Sequence, residues 1–191
     1  VRLMNFGNRS VPVRVVVVPW ELDDQNKVVT LPPGEDTLDQ AMIFNPSEFV
    51  VGPDSEQTVR FSIRPRMRPD DGERRAMIYF EEQPTGERTG GLQVLFRVGV
   101  AVYAYAGDVR RDGELRQVRV ASNDSVLRAA FDIASGGNAH VRMIGQYAVW
   151  PVDRFPGLEG LEPFEGLDKP DFRVPEPALM AGVLPAIPVL A

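Results

Sequence analysis

Between residues 92 and 105 the even positions Leu92, Val94, Phe96, Val98, Val100 and Val102 are all apolar, while the odd positions mix Gln93, Leu95, Arg97, Gly99, Ala101 and Tyr103. A period of two belongs to an extended strand with one face on an apolar surface, because successive side chains leave the backbone on opposite sides. Shorter pieces of the chain repeat the pattern. Residues 11–20 place Val13, Val15 and Val17 on one face, and the four valines at 15–18 imply burial on both faces near the end. Residues 57–63 place Val59, Phe61 and Ile63 together, and 41–44, 48–51 and 75–81 read as further strands. Seventeen prolines and seventeen glycines punctuate these runs and leave few helix signals. The polar turn at Asp23-Asp24-Gln25-Asn26 sends 27–31 back as a returning strand, and Gly52-Pro53-Asp54 marks another turn.

Many short strands with turn signals between them specify an all-β chain of sandwich type. With 191 residues and 43% hydrophobic content there is room for two small modules, each with a core. The polar, glycine-bounded stretch 107–113 marks the expected boundary, giving immunoglobulin-like modules at 1–106 and 107–191. In the second, 115–120, 126–133 and 140–150 read as strands, with Gly136-Gly137-Asn138 turning the last two into a hairpin. Residues 151–177 hold six prolines without periodicity and read as a long loop, either a docking segment or a wrap on its own module. This second module is expected to be incomplete. The apolar end, 178–191, is cut by Pro185 and Pro188 and is too short for a membrane span.

Composition removes several chemistries. Net charge is −6, and the halves meeting at Ala106 carry 12 basic against 15 acidic groups and 9 against 12. Neither half is basic, so neither nucleic acid nor an anionic membrane is an expected partner. With no cysteine there is no disulfide framework, thiolate nucleophile or thiolate-bound metal. The single histidine, His140, beside a glycine turn does not make a metal site or, with Asp132 and Ser135, a catalytic triad. The adjacent carboxylates Glu81-Glu82 and Asp70-Asp71 point apart on extended backbone and suit solvated positions better than acid–base pairing. No phosphate-binding glycine loop occurs. Arg60, Arg64, Arg66, Arg68, Arg74 and Arg75 form the densest basic cluster, read as a solvated face with Asp70, Asp71 and Glu73 as neighbours rather than as an anion site. The expectation is a protein without catalytic activity, cofactor, metal or small-molecule substrate.

The order of these pieces resembles the N-terminal domain of PapD-like periplasmic pilus chaperones. Residues 45–60, with Asn45-Pro46-Ser47, a short apolar strand, a turn and then Gln57-Thr58-Val59-Arg60, are similar to the family's pattern. So are the Arg-led strand from Arg74 to the aromatics Tyr79 and Phe80, the glycine-containing loop and the alternating segment from Leu92, with Trp20 closing the early valine strand. The resemblance implies donor-strand complementation: a chaperone inserts its last N-domain strand into the groove of an incomplete subunit, supplying main-chain hydrogen bonds and alternate apolar side chains. Leu92, Val94, Phe96 and Val98 would be the inserted side chains, in a periplasmic or cell-surface setting with a β-strand-accepting subunit as partner. The family's anchors for a subunit's terminal carboxylate fit less well. Its first-strand arginine has no counterpart, because the chain matches from the family's second strand, and its lysine aligns with Ala101. Arg97, on the same face, is the candidate substitute. The same alternation also fits a strand facing its own core, and the sequence leaves the two open. A structural or adhesive immunoglobulin-like tandem in a larger surface assembly is the other reading.

Overall fold

The computed structural model describes residues 1–191 other than Asp24, Asp36, 86–93 and Asp124. It is all-β apart from one helical turn and two short 3-10 turns. In chain order the elements are β1 (Arg2–Asn5), β2 (Val11–Val18), β3 (Trp20–Leu22), β4 (Val28–Thr30), α1 (Leu38–Ala41), β5 (Met42–Asn45), β6 (Glu48–Val51), β7 (Ser55–Thr58), β8 (Arg60–Ile63), β9 (Gly72–Glu82) and β10 (Arg97–Ala106). They continue as β11 (Gly113–Ser122), β12 (Leu127–Ser135), β13 (Val141–Val149) and β14 (Met180–Val189). The chain divides into two compact units, Val1–Arg111 with Gly137–Ala139, and Asp112–Gly136 with His140–Ala191.

In the first unit a four-stranded antiparallel sheet runs in the order β10-β9-β2-β6. Its inner face supplies Val13 and Val15 from β2, Val51 from β6, and Ala76, Ile78 and Phe80 from β9. Opposite lie Leu38 of α1, Met42 of β5 and Val59, with Leu3 and Phe44 packed at the margin. Two layers around one apolar core make a sandwich, the arrangement that lets every half-apolar sheet cover its face. Ile78 and Val59, at 1% and 2% exposure, are its most enclosed large side chains. The central strand β9 also buries Met77 on its other face, where Trp20 meets Tyr103 edge-on at 5.8 Å.

The turn expected at Asp23 forms. Its carboxylate accepts the backbone N–H groups of Gln25 and Lys27 at 2.8 and 2.9 Å, closing the β3–β4 hairpin. Residues 57–63 depart from the expectation of one strand with Val59, Phe61 and Ile63 on a shared face. The chain changes ladders at Val59: β7 pairs with β1 and β8 with β5. Val59 enters the core while Phe61 and Ile63 are exposed. The strand at Arg2–Asn5 and the helical turn before β5 were not foreseen.

The second unit consists of two antiparallel ladders, β11–β12 and β13–β14. Among its described residues none is buried, and β11 is exposed along its whole length. The expected hairpin across residues 136–138 does not form. β12 returns on β11 through a turn in which the Asn123 carboxamide oxygen accepts from the N–H groups of Ser125 and Val126, and β13 takes β14 as partner. Asn138 is engaged elsewhere. Its carbonyl accepts from Glu73 N–H, and its side chain bridges Arg110 N–H and the Asp108 carbonyl. Residues 180–189, read as an interrupted apolar tail, form β14 with both prolines inside it. Its register against β13 shifts between Met143 and Gly145, opposite Ile187 and Leu184. Among the described residues no helix is long and apolar enough to cross a membrane.

Candidate functional site

β10 is an outer strand of its sheet. One side forms ten residue pairs with β9, from Arg97 opposite Glu81 to Ala106 opposite Gly72, and among the described residues its other side pairs with no strand. An outer strand of this kind turns every second N–H and C=O away from its partner, toward the side where a strand could be added. The even-numbered side chains divide into two groups. Val100, Val102 and Ala104 pack on the unit's own core. Val94, Phe96 and Val98 are 58%, 67% and 58% exposed. Leu92 lies outside the described residues.

The approach to β10 is held although it is not itself strand. The Phe96 carbonyl accepts the Glu82 N–H at 2.9 Å, and Phe96 N–H donates to the Glu82 carboxylate at 3.2 Å. Both polar backbone groups of Phe96 are thereby satisfied while its ring faces outward. Glu82 also meets Arg9 at 3.3 Å. The adjacent carboxylates, read from sequence only as solvated, thus have separate structural tasks: Glu82 ties down Phe96 and Glu81 takes Arg97. Their placement one after the other at the end of a strand was the available signal.

Arg97 is already occupied. Its Nε lies 2.9 Å from the Glu81 carboxylate, and its guanidinium sits 3.6 Å above the centre of the Tyr79 ring. Gly99 makes room for this stack, since a Cβ there would come within 3.0 Å of Tyr79 Cε1 and 3.1 Å of Met77 Sδ. Ala101, at the position where the resemblance implies a lysine, is exposed and opposite Met77. The arginine cluster of the sequence separates. Arg74 pairs with Asp70 at 3.6 Å and Arg75 with buried Glu73 at 3.7 Å, whereas Arg64, Arg66 and Arg68 stand on an exposed loop.

No protein-family model and no curated protein matches the sequence. Among solved structures, the chain is similar to the Class 5 fimbriae chaperone CfaA, at 11% identity and a TM-score of 0.49, over 78% of this chain and 64% of that one. It is also similar to the CsuC–CsuE chaperone–tip adhesion subunit pre-assembly complex from the archaic chaperone–usher Csu pili of Acinetobacter baumannii, at 14% and 0.47, over 78% and 67%. The E. coli chaperone DraB is matched at 12% and 0.43, over 73% and 61%. The chain thus spans less than two thirds of the length of CfaA and of DraB. Each of the three structures is a chaperone, or a complex that holds one, and the chain is similar to them.

Proposed function

We propose that the chain is a chaperone-like protein of the bacterial periplasm or cell surface that caps strand-deficient exported subunits by donor-strand complementation. One observation carries this reading: Val100, Val102 and Ala104 of β10 pack on the protein's own core, while Val98 at its start and Val94 and Phe96 in the segment leading into it are exposed. An apolar run that continues past its own core has side chains to offer a groove. Next to it runs an edge that pairs with no strand among the described residues, the other half of what strand addition requires. Each large side chain fully buried in such a groove contributes about 1.5–3 kcal/mol. Three of them outweigh the ordering of a short segment that Glu82 already holds at Phe96. Arg97 serves as anchor for a terminal carboxylate only by exchanging Glu81 for it, so side-chain insertion rather than anchoring carries the affinity.

The test replaces Val94 and Phe96 together with aspartate. Both are exposed, so the double variant is expected to keep its circular dichroism spectrum and to melt within about 3 °C of the parent. A pilus subunit lacking its final strand, kept soluble by the parent on co-expression, is expected to be lost with the variant. Unfolding of the variant would show that both side chains belong to the core, and a folded variant that still holds the subunit would leave the structural or adhesive tandem as the better reading.

A further inference from the structure

The ladder between β9 and β10 stops one pair short of where its register leads. Arg97 faces Glu81, so Phe96 falls opposite Glu82, and the Glu82 N–H does donate to the Phe96 carbonyl at 2.9 Å. In a regular antiparallel pair the return bond runs from Phe96 N–H to the Glu82 carbonyl. Here it goes to the Glu82 carboxylate instead, at 3.2 Å. A side chain has taken over the backbone's part at the last rung. The chain therefore leaves the sheet at Phe96 while still tied to Glu82 by two hydrogen bonds, and Val94, Leu95 and Phe96 stand exposed.

The carboxylate that does this is itself positioned. The Glu82 side chain is only 11% exposed, and its other oxygen accepts from the Arg9 guanidinium at 3.3 Å. Arg9 belongs to the loop between β1 and β2, which Asn5 at the end of β1 fastens. The Asn5 side-chain amide donates to the carbonyls of Arg9, Val51 and Gly52 at 2.7, 3.1 and 2.9 Å, and its oxygen accepts the Gly7 N–H at 2.9 Å. The loop is thus tied to the end of β6, and Arg9 reaches from there to Glu82. Hydrogen bonds to an ionised acceptor are roughly twice as strong as neutral ones. With one Glu82 oxygen on Arg9, the other is aimed at Phe96.

We infer that Asn5, Arg9 and Glu82 form a clasp that presets residues 94–98 for strand addition, with Arg9 and Glu82 as positioning residues for the capture of a client. What the segment is for rests on the chaperone reading; that it is clasped does not. A segment loose between encounters meets a groove in the right conformation only part of the time, and its apparent affinity falls by that fraction. The clasp removes this loss before a client arrives. Its effect therefore lies in the association step, not in how long an inserted strand stays. None of the three residues belongs to the apolar core around Ile78, so the clasp acts on the segment rather than on the fold.

The test has an arm without a client and an arm with one. In the free full chain, amide exchange followed residue by residue by NMR is expected to show Phe96 N–H protected at least about tenfold over an unstructured amide. Glu82→Ala is expected to abolish that protection and to leave Ile78 of β9 among the slowest amides. Arg9→Ala, at a side chain 67% exposed, is expected to reduce it several-fold without unfolding. Arg9→Lys keeps the cation and is expected to restore most of it. In the second arm, a pilus subunit lacking its final strand is diluted from denaturant into each protein. Capture is expected to be at least about fivefold slower with Glu82→Ala, and slowed also with Arg9→Ala, while release from the finished complex changes less than about twofold. Phe96 N–H unprotected in the parent, or equally protected in parent and Glu82→Ala, overturns the clasp whatever the client does. Lost protection with an unchanged capture rate overturns the positioning role alone. A clasped parent that never holds the subunit overturns the chaperone reading, and the positioning role with it.

Discussion

At Gly72 the backbone has a φ of 113°, and a Cβ there would come within 2.6 Å of the Asn138 carbonyl oxygen. Backbone strain and a backbone clash coincide, so Gly72→Ala is expected to cost about 1–3 kcal/mol in a denaturant titration. Ile78→Ala, which empties the centre of the core, is expected to cost about 2–5 kcal/mol. Val94→Ala, by contrast, should stay within about 0.5 kcal/mol, because the side chain it shortens touches mostly water. Ile78 and Val94 illustrate what alternation tells a reader and what it withholds. Period two assigns a residue to a face only while the chain stays in the strand, and Val94 lies before β10 begins at Arg97. It carries no information on how far the facing layer extends, and that extent makes Val100 a core residue and Val94 an exposed one. The role of Asn138 was equally hidden, since its partners Glu73 and Arg110 lie far away in sequence.

Among the elements, those closed by local chemistry were legible. The β3–β4 hairpin rests on one carboxylate accepting two N–H groups, and Asp23→Ala is expected to cost about 1 kcal/mol, seen as a lowered melting temperature. The elements that were misread depend on distant partners. Residues 57–63 look like one strand because their apolar residues alternate, yet the ladder changes at Val59 as the partner changes from β1 to β5. Prolines at 185 and 188 argued against a strand, but a proline lacks only the N–H, and a strand with one open side tolerates that loss. β14 is paired with β13 alone among the described residues, so its prolines cost less there than they would in a central strand. The 136–138 turn failed as a hairpin because β11, not β13, was the available partner for β12.

At the scale of the molecule the two units differ in what protects them. The first encloses its central strands, while the second has no buried residue among those described. Hydrogen exchange is therefore expected to be slowest in β2 and β9 and fast along β11 and β12, a contrast of several orders of magnitude measurable by mass spectrometry. Comparable rates in β9 and β11 would contradict it. β10 adds a consequence for how such a protein behaves when concentrated. Natural sheet edges are guarded by lysines, prolines or bulges that spoil a second pairing. From Val98 to Ala106, β10 has no charged residue, no proline and no break in register. Nine such residues form a template for fibre-like stacking of identical copies, so colloidal stability should fall as the protein is concentrated. A single gatekeeping charge tests this: Ala101→Lys, on the exposed side, is expected to raise soluble yield and slow turbidity growth while leaving the melting temperature unchanged.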